Sequence, residues 1–419
     1  MAIGSEETKG SAIATRGIGY ERVDSLRAEE RRNLRRRCLT CVVVTAVLAV
    51  LSLNIIAHLY SGTIIDAPFI GYIANPAVVV LSLQQALHNI IPVFPEVDAQ
   101  NFASVLANSS ISNLDFGNTT DTLNMYAWYE GERVTTIILT LLCGTLLALS
   151  GMLFQNVFKN PIATPAMLGA QSGMTLGVML FVSIFGFSVG IYSFPRYALS
   201  YGCALVILAA AFAGAKFISG KRPFSVVDLL LVGAALGAIA NTIVQYAPLG
   251  WDEGKWSEFF ALSESVATDT SPVAWISVGV ACLAGIVPIY LLRFQLNMLA
   301  FDDLEVRMLG VDPSRLRIIC LLCGSLMTLV SIVTCGLVAM AALAVPFLTR
   351  YLFGTEAREQ FWGNLCLGPL VLLVCRDVTD LLQMAFFQLQ YGLTLGTVVS
   401  VLALPLVIVL ARGEARGWS

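Results

Sequence analysis

Metal ligation, thiol chemistry and acid–base catalysis need particular side chains at particular spacings. This 419-residue chain offers ten cysteines, two histidines and 28 carboxylates for them. Two cysteine pairs have ligand-like spacing, Cys38-x-x-Cys41 and Cys320-x-x-Cys323. A tetrahedral zinc site needs two further ligands, and His58 and His88 supply none nearby. All ten cysteines lie in or at the ends of apolar runs, which reads as small apolar packing and not as a disulfide framework. No nucleophile–base pair or metal cluster stands out, so the reading has no catalytic residue, no metal or haem site and no cofactor bound by this chain. The string Gly214 to Lys221 has the wrong spacing for a phosphate-binding loop and lacks the following Ser or Thr, so the chain does not hydrolyse ATP by itself.

The remaining polar residues sit in an apolar frame. Hydrophobic residues make up 57% and charged residues 13% of the chain, and the mean hydropathy is +0.78. A soluble protein could not bury that much apolar surface, and a disordered one would be more polar. Apolar runs lie at 38–60, 134–155, 166–189, 197–215, 226–247, 273–292, 317–336, 337–352, 361–382 and 393–411. Each is near the ~20 residues a spanning helix needs, which predicts an all-α polytopic membrane protein with about ten transmembrane helices. The net charge of −3 gives no reason to expect nucleic acid.

Charge placement predicts the topology. The basic tail 1–37, Lys159, the turn 216–228, the loop 293–317, the turn 350–360 and the tail 412–419 hold 21 of the 25 Lys/Arg. The positive-inside rule puts these segments, and both termini, in the cytosol. The segment 61–132 is then extracytoplasmic, with an amphipathic surface helix expected at 77–91, and 133–411 is the membrane core. Both large outer segments are acidic: Glu130 and Glu132 face only Arg133 in one, and Asp252, Glu253, Glu258, Glu264 and Asp269 face only Lys255 in the other.

Two strings carry the most information. The first runs from Leu147 through Ser150, Gly151, Gln155, Lys159, Asn160, Pro161, Thr164 and Pro165 to Gly169. Asn160-Pro161 breaks a helix, and Thr164 with Pro165 is placed to start the next. Gly169, Gly173 and Gly177 are four apart, as are Gly233 and Gly237, a spacing that lets membrane helices approach closely. The second string, Leu299 to Pro313, reads as a short helix in the cytosolic loop 293–317. Asp302 and Glu305 form a capping-box pattern, Asp303 and Arg307 are spaced for an ion pair, and Gly310 is placed as the stop. Phe301, Leu304, Met308 and Leu309 add apolar surface. So short a helix is unstable alone in water, so it is expected to dock on something.

Together these strings resemble the FecCD-type permease subunits of ABC importers for iron–siderophore complexes, haem and cobalamin. The first is similar to the family's Ser-Gly, Gln and Asn-Pro-Leu-Ala-x-Pro pattern ending in Leu-Gly. The second is similar to the loop that seats on the ATPase. Leu231 to Gly237, Val345-Pro346 with Arg350, Gly354-Thr355 and Gly396 with Pro405 extend the likeness. The departures are Phe347 where the family has His, Ala341-Ala342 within a Phe-Val-Gly-Leu phrase, Thr394 in a Glu-Leu-Pro phrase, and Leu381 for Arg. Glu130-Gly131-Glu132-Arg133 stands at an Arg-Leu-Pro-Arg position.

The resemblance implies a type II importer fold. It also implies a second permease copy or paralogue, two ATPase subunits that hold ATP and Mg, an extracytoplasmic binding protein and a surrounding lipid bilayer. Residues 299–310 would couple to the ATPase, and Glu130, Glu132, Arg133 and Asp377 are candidates for binding-protein docking. Gln171, Asn241 and Gln245, polar within spans, are candidates to line a pathway. The rival reading is an ion-driven secondary transporter. It predicts ionisable residues at mid-span, whereas Asp228 and Asp377 fall near span ends.

Overall fold

The computed structural model describes residues 29, 32–49, 52, 120–186, 194–220, 225–263, 270–385 and 394–405. The expected amphipathic helix at 77–91 lies outside these. Among the described residues the secondary structure is helical. A first helix, α1, covers 32–49 and so starts before the expected span. Then follow α2 (Thr120–Phe158), a 3-10 turn (Pro165–Leu168), α3 (Ala170–Ile184), α4 (Phe194–Ser219), α5 (Val226–Tyr246) and α6 (Glu253–Ser263). After these come α7 (Pro272–Ala281), a π turn (Cys282–Ile286) and α8 (Val287–Leu296). A second 3-10 turn (Asn297–Ala300) leads into α9 (Asp303–Met308), α10 (Pro313–Cys335), α11 (Ala339–Phe353) and α12 (Ala357–Ala385). The last is α13 (Leu395–Pro405).

Local chemistry sets these boundaries. Ser225, Ser271 and Asp312 cap α5, α7 and α10 by accepting from Asp228 N, Ala274 N and Ser314 N. Prolines stand in the first turn of α7 and α10, where a missing N–H costs nothing. The π turn precedes Pro288, which has no N–H to return to the Ala284 carbonyl. Cys323 Sγ donates to that oxygen at 3.5 Å. The Cys320-x-x-Cys323 pair thus has an interhelical role at one of its thiols.

Among the described residues, five segments are long and apolar enough to cross a bilayer: Val134–Phe158, Phe194–Ser219, Val226–Tyr246, Pro272–Leu299 and Pro313–Cys335. α3, α11 and α13 are shorter apolar helices. Beyond the early start of α1, two differences from expectation bear on the site. α2 begins at Thr120, inside the segment assigned to the outside, because a helix can continue through polar residues after its apolar stretch ends. The span expected at 166–189 is interrupted: the Pro165–Leu168 turn ends at Gly169 in the left-handed region (φ 75°), and only then does α3 begin.

α2 is the axis of the bundle. Leu139, Leu146, Leu147, Leu149, Met152, Leu153 and Phe154 are fully buried, against α10, α11 and α12. Lipid is as apolar as leucine, so close packing and interhelical hydrogen bonds must hold these helices together. A Cβ on Gly151 would sit 1.7 Å from the Ala342 carbonyl oxygen of α11, and one on Gly144 would sit 2.5 Å from that of Gly368 on α12. α3, α4 and α5 form a second group, in which Gly173 meets Ala204 and Gly177 meets Leu199 and Ser200. α1 lies on α11 and α12 through Leu34, Cys38 and Cys41, and Arg37 donates to the Leu352 carbonyl.

Gly151→Ala is expected to cost at least ~1–3 kcal/mol, the usual range for overpacking, and to remove the monodisperse peak in detergent size-exclusion chromatography. Gly202→Ala, with nothing within 4 Å of the new Cβ, is expected to keep that peak and an unchanged or higher thermal midpoint.

Candidate functional site: the tethered knob and the glycine groove

Lys159, the C-terminal end of α4, the N-terminal end of α5, α9 and the α11–α12 turn lie at one end of the bundle, the basic end. The opposite end holds α6. At the basic end, the 3-10 turn and α9 form a knob on the surface. Asp302 sits at the N-cap position with extended backbone, but its side chain caps nothing, so the capping box does not form. The stop behaves as expected: Gly310 is left-handed (φ 81°) and its N–H returns to the Arg307 carbonyl at 3.0 Å.

The expected Asp303–Arg307 pair is replaced by a longer-range one. Arg317, near the start of α10, donates to both Asp303 oxygens, at 3.1 and 2.5 Å. Arg317 is largely buried (13% exposed) and its planar fork matches the carboxylate, whereas Arg307 is exposed. Leu299 and Val306, each 1% exposed, anchor the knob from beneath. Asn297 Oδ1 accepts from Ala357 N at 2.7 Å, and Lys159 Nζ donates to the Phe301 carbonyl at 2.9 Å. Above these tethers Leu304 (76%), Met308 (81%), Leu309 (61%) and Phe301 (55%) are exposed. Glu305 is exposed as well.

The first string pins the interior. Ser150 Oγ is 2.6 Å from Thr328 Oγ1 of α10, and Gln155 Nε2 donates to the Leu343 carbonyl of α11 at 3.2 Å. A polar network, not singled out in the sequence, joins α2, α11 and α12. Arg350 donates to Asn156 (3.3 Å), Asn156 to Gln360 (3.3 Å), and Thr349 to Asn364 (3.1 Å). The signal available was a set of polar residues at the ends of neighbouring apolar runs. Asn160 Oδ1 accepts from Ile162 N at 3.0 Å, which fixes the turn at Pro161. Thr164, the expected cap, makes no capping bond.

Gly169, Gly233 and Gly237 come together as a cross-helix contact. A Cβ on Gly169 would lie 2.7 Å from the Gly233 carbonyl oxygen and 3.2 Å from Gly237 Cα. Beside it is an open groove of about 390 Å³ whose lining includes Met167, Gly169, Ser172, Leu230, Gly237 and Asn241. Asn241 and Gln245 are exposed one turn apart on α5. Gln171 is half-buried and not part of the lining.

At the opposite end, α6 is a helix that hydropathy did not reveal. Trp251, Trp256, Phe259 and Phe260 stack edge to face or in parallel there, and their spacing was the available signal. Glu258 is 4% exposed, and neither carboxylate oxygen has a hydrogen-bond partner. Burial pushes its pKa up, against a smaller opposing effect of Lys255. Asp377 is half-buried and accepts from Ser52 at 2.5 Å. Arg376 pairs with Asp380 at 3.2 Å. Glu130, Glu132 and Arg133 lie within α2; their side chains are outside the described ones.

The described residues form an all-α bundle with several helices apolar enough to cross a membrane and a tethered apolar knob at one end, the architecture of a multi-pass membrane protein. The chain belongs to the FecCD transport family, whose model matches residues 102–413. It is 28% identical over 286 residues to the protein named as the probable iron chelatin transport system permease of Helicobacter pylori, covering 65% of this chain and 78% of that one. It is 30% identical over 287 residues to the iron(3+)-hydroxamate import system permease FhuB of Bacillus subtilis, covering 66% and 69%. It is 27% identical over 288 residues to the Fe(3+) dicitrate transport system permease FecC of Escherichia coli, covering 68% and 83%. Its fold is similar to a solved structure described as an inward-facing, metal-chelate type ABC transporter, with a TM-score of 0.56 and 21% identity, covering 80% of this chain and 97% of that one. Members of this family are permeases that work with an ATPase and a binding protein.

A carboxyl whose folded pKa is raised loses stability as pH rises from its unfolded value through the folded one, because the folded chain holds the proton more tightly. Glu258→Gln is therefore expected to match the wild-type thermal midpoint near pH ~4 and exceed it near pH ~8. A midpoint difference that does not change with pH would contradict this assignment.

Proposed function

We propose that this chain is the membrane permease of an ABC importer that carries an iron chelate (a siderophore complex or haem) or a cobalamin-like compound inward. The observation that carries the reading is the knob. Four large apolar side chains stand in solvent, Leu304 and Met308 on a six-residue helix and Phe301 and Leu309 just beside its ends, and such a patch marks a protein contact. Its tethers to α2, α10 and α12 let a push on the knob move whole helices as rigid bodies.

In this reading the basic end and both termini face the cytosol, and the knob seats on one of two ATPase subunits. ATP and Mg are held there, and the permease itself binds no cofactor. A second copy or a paralogue completes the pathway, with Asn241, Gln245 and the glycine groove on the surface it would share. An extracytoplasmic binding protein delivers the chelate at the end that carries α6. With Glu130 and Glu132 in place of the family's arginines, that protein is expected to present Lys or Arg. The relatives described above, permeases for an iron chelatin, an iron(3+)-hydroxamate and Fe(3+) dicitrate, support the substrate class.

In proteoliposomes containing the permease, its ATPase and the binding protein, ferric-chelate uptake is expected to follow enclosed ATP and to fail when the ATPase is left out. Leu304→Asp is expected to release the ATPase on co-purification and to cut uptake at least tenfold while leaving the permease folded. Uptake driven by an ion gradient without the ATPase would overturn the reading.

A further inference from the structure

Among the described residues, Lys159 is the one non-glycine with a positive φ, at 50°. L side chains avoid this region, and a glycine would adopt it freely. The left-handed turn ends α2 and lets Asn160 N return to the Gln155 carbonyl at 3.2 Å. It also sends the Lys159 ammonium across to the Phe301 carbonyl, at 2.9 Å, between the 3-10 turn and α9. Phe301 is itself fixed, since its N–H donates to the Met298 carbonyl at 3.0 Å.

On its other side Lys159 joins a short stiff segment. Asn160 accepts from Ile162 N and Ala163 N at 3.0 and 3.1 Å, and Gly169 N returns to Ala166 O at 3.2 Å. That segment ends where Gly169 presses on Gly233 and Gly237 of α5, the helix that exposes Asn241 and Gln245. Two other tethers, Asp303–Arg317 and Asn297–Ala357, lead to α10 and α12. The Lys159 contact leads toward the groove.

We propose that Lys159 is a positioning residue that transmits displacement of the knob through the Asn160–Pro161 turn to the Gly169–Gly233 contact, and so to the groove helices. The proposal rests on the knob being the ATPase contact. The hydrogen bond is exposed and contributes little to folding. Its role is geometric: it makes the knob and the turn move together.

The test compares Lys159→Gly, Lys159→Arg and Leu304→Asp in the complete transporter, reconstituted with its ATPase and binding protein. Thermal midpoint, amount of assembled complex, and ferric chelate taken up per ATP hydrolysed are measured. Lys159→Gly fits the backbone better and is expected to hold or raise the midpoint and to assemble normally, while uptake per ATP falls about fivefold. Lys159→Arg, which keeps a cationic donor, is expected to recover most of that loss. A merely structural role would move the midpoint and leave the coupling ratio alone. Normal coupling in Lys159→Gly, or an Arg variant as poor as the Gly variant, overturns the proposal. If Leu304→Asp loses the ATPase while Lys159→Gly couples normally, the strut alone is wrong. If Leu304→Asp assembles and transports normally, the docking reading fails and the strut falls with it.

Discussion

The bundle depends on backbone-to-backbone contact along α2. A membrane helix gains nothing hydrophobic by leaving lipid for another helix, so association must come from dispersion at short range and from hydrogen bonds. Gly144 against Gly368 and Gly151 against Ala342 bring main chains together at distances that exclude even a methyl group. Once those contacts are made, the positions of α11 and α12 relative to α2 have little freedom. Ser150, Gln155 and Asn156 on α2 then meet Thr328, Leu343 and Gln360. The hydrogen bonds add specificity to an arrangement that the glycines make possible.

This constraint divides the molecule into regions of different stiffness. Around α2 the described helices are pinned by side chains buried on all sides. The α3–α4–α5 group is held by small-residue contacts, and α5 exposes much of its surface, including Leu231, Ile239, Asn241 and Gln245. α3 and α4 are locked together by Met174, Phe181 and Tyr197, whereas the buried residues of α5 are Leu229, Gly233, Gly237 and Ala240.

The all-α membrane architecture was legible because apolar run length and Lys/Arg placement are one-dimensional properties. Gly310 and Pro313 were legible as stops because their backbone demands are local. Asp303 was not: its partner Arg317 is 14 residues away, and burial of that arginine against the bundle, which spacing along one helix does not reveal, decided the pairing. Val306 escaped notice because a six-residue helix offers too little period to read. The break at Gly169 was hidden by the regular spacing of Gly169, Gly173 and Gly177, which suggested one continuous helix. In fact the first glycine turns the chain and meets α5, while the other two meet α4. α2 was read too short because hydropathy marks where the apolar stretch begins, and Asp121, Glu130 and Glu132 precede it.

The knob combines two properties that rarely coexist in a surface helix. Its underside is fixed by Leu299, Val306, an Arg317 fork and the Lys159 and Asn297 contacts, and its top is bare apolar surface. A loop that only linked two spans would need neither tethering nor exposed methionine and leucine. Tethering without exposure would make it ordinary packing, and exposure without tethering would make it a flexible hook unable to transmit force. In the proposed reading, contact on Leu304 and Met308 would displace α9 as a unit, and the tethers would deliver that displacement to α10, α12 and the α2–α3 turn.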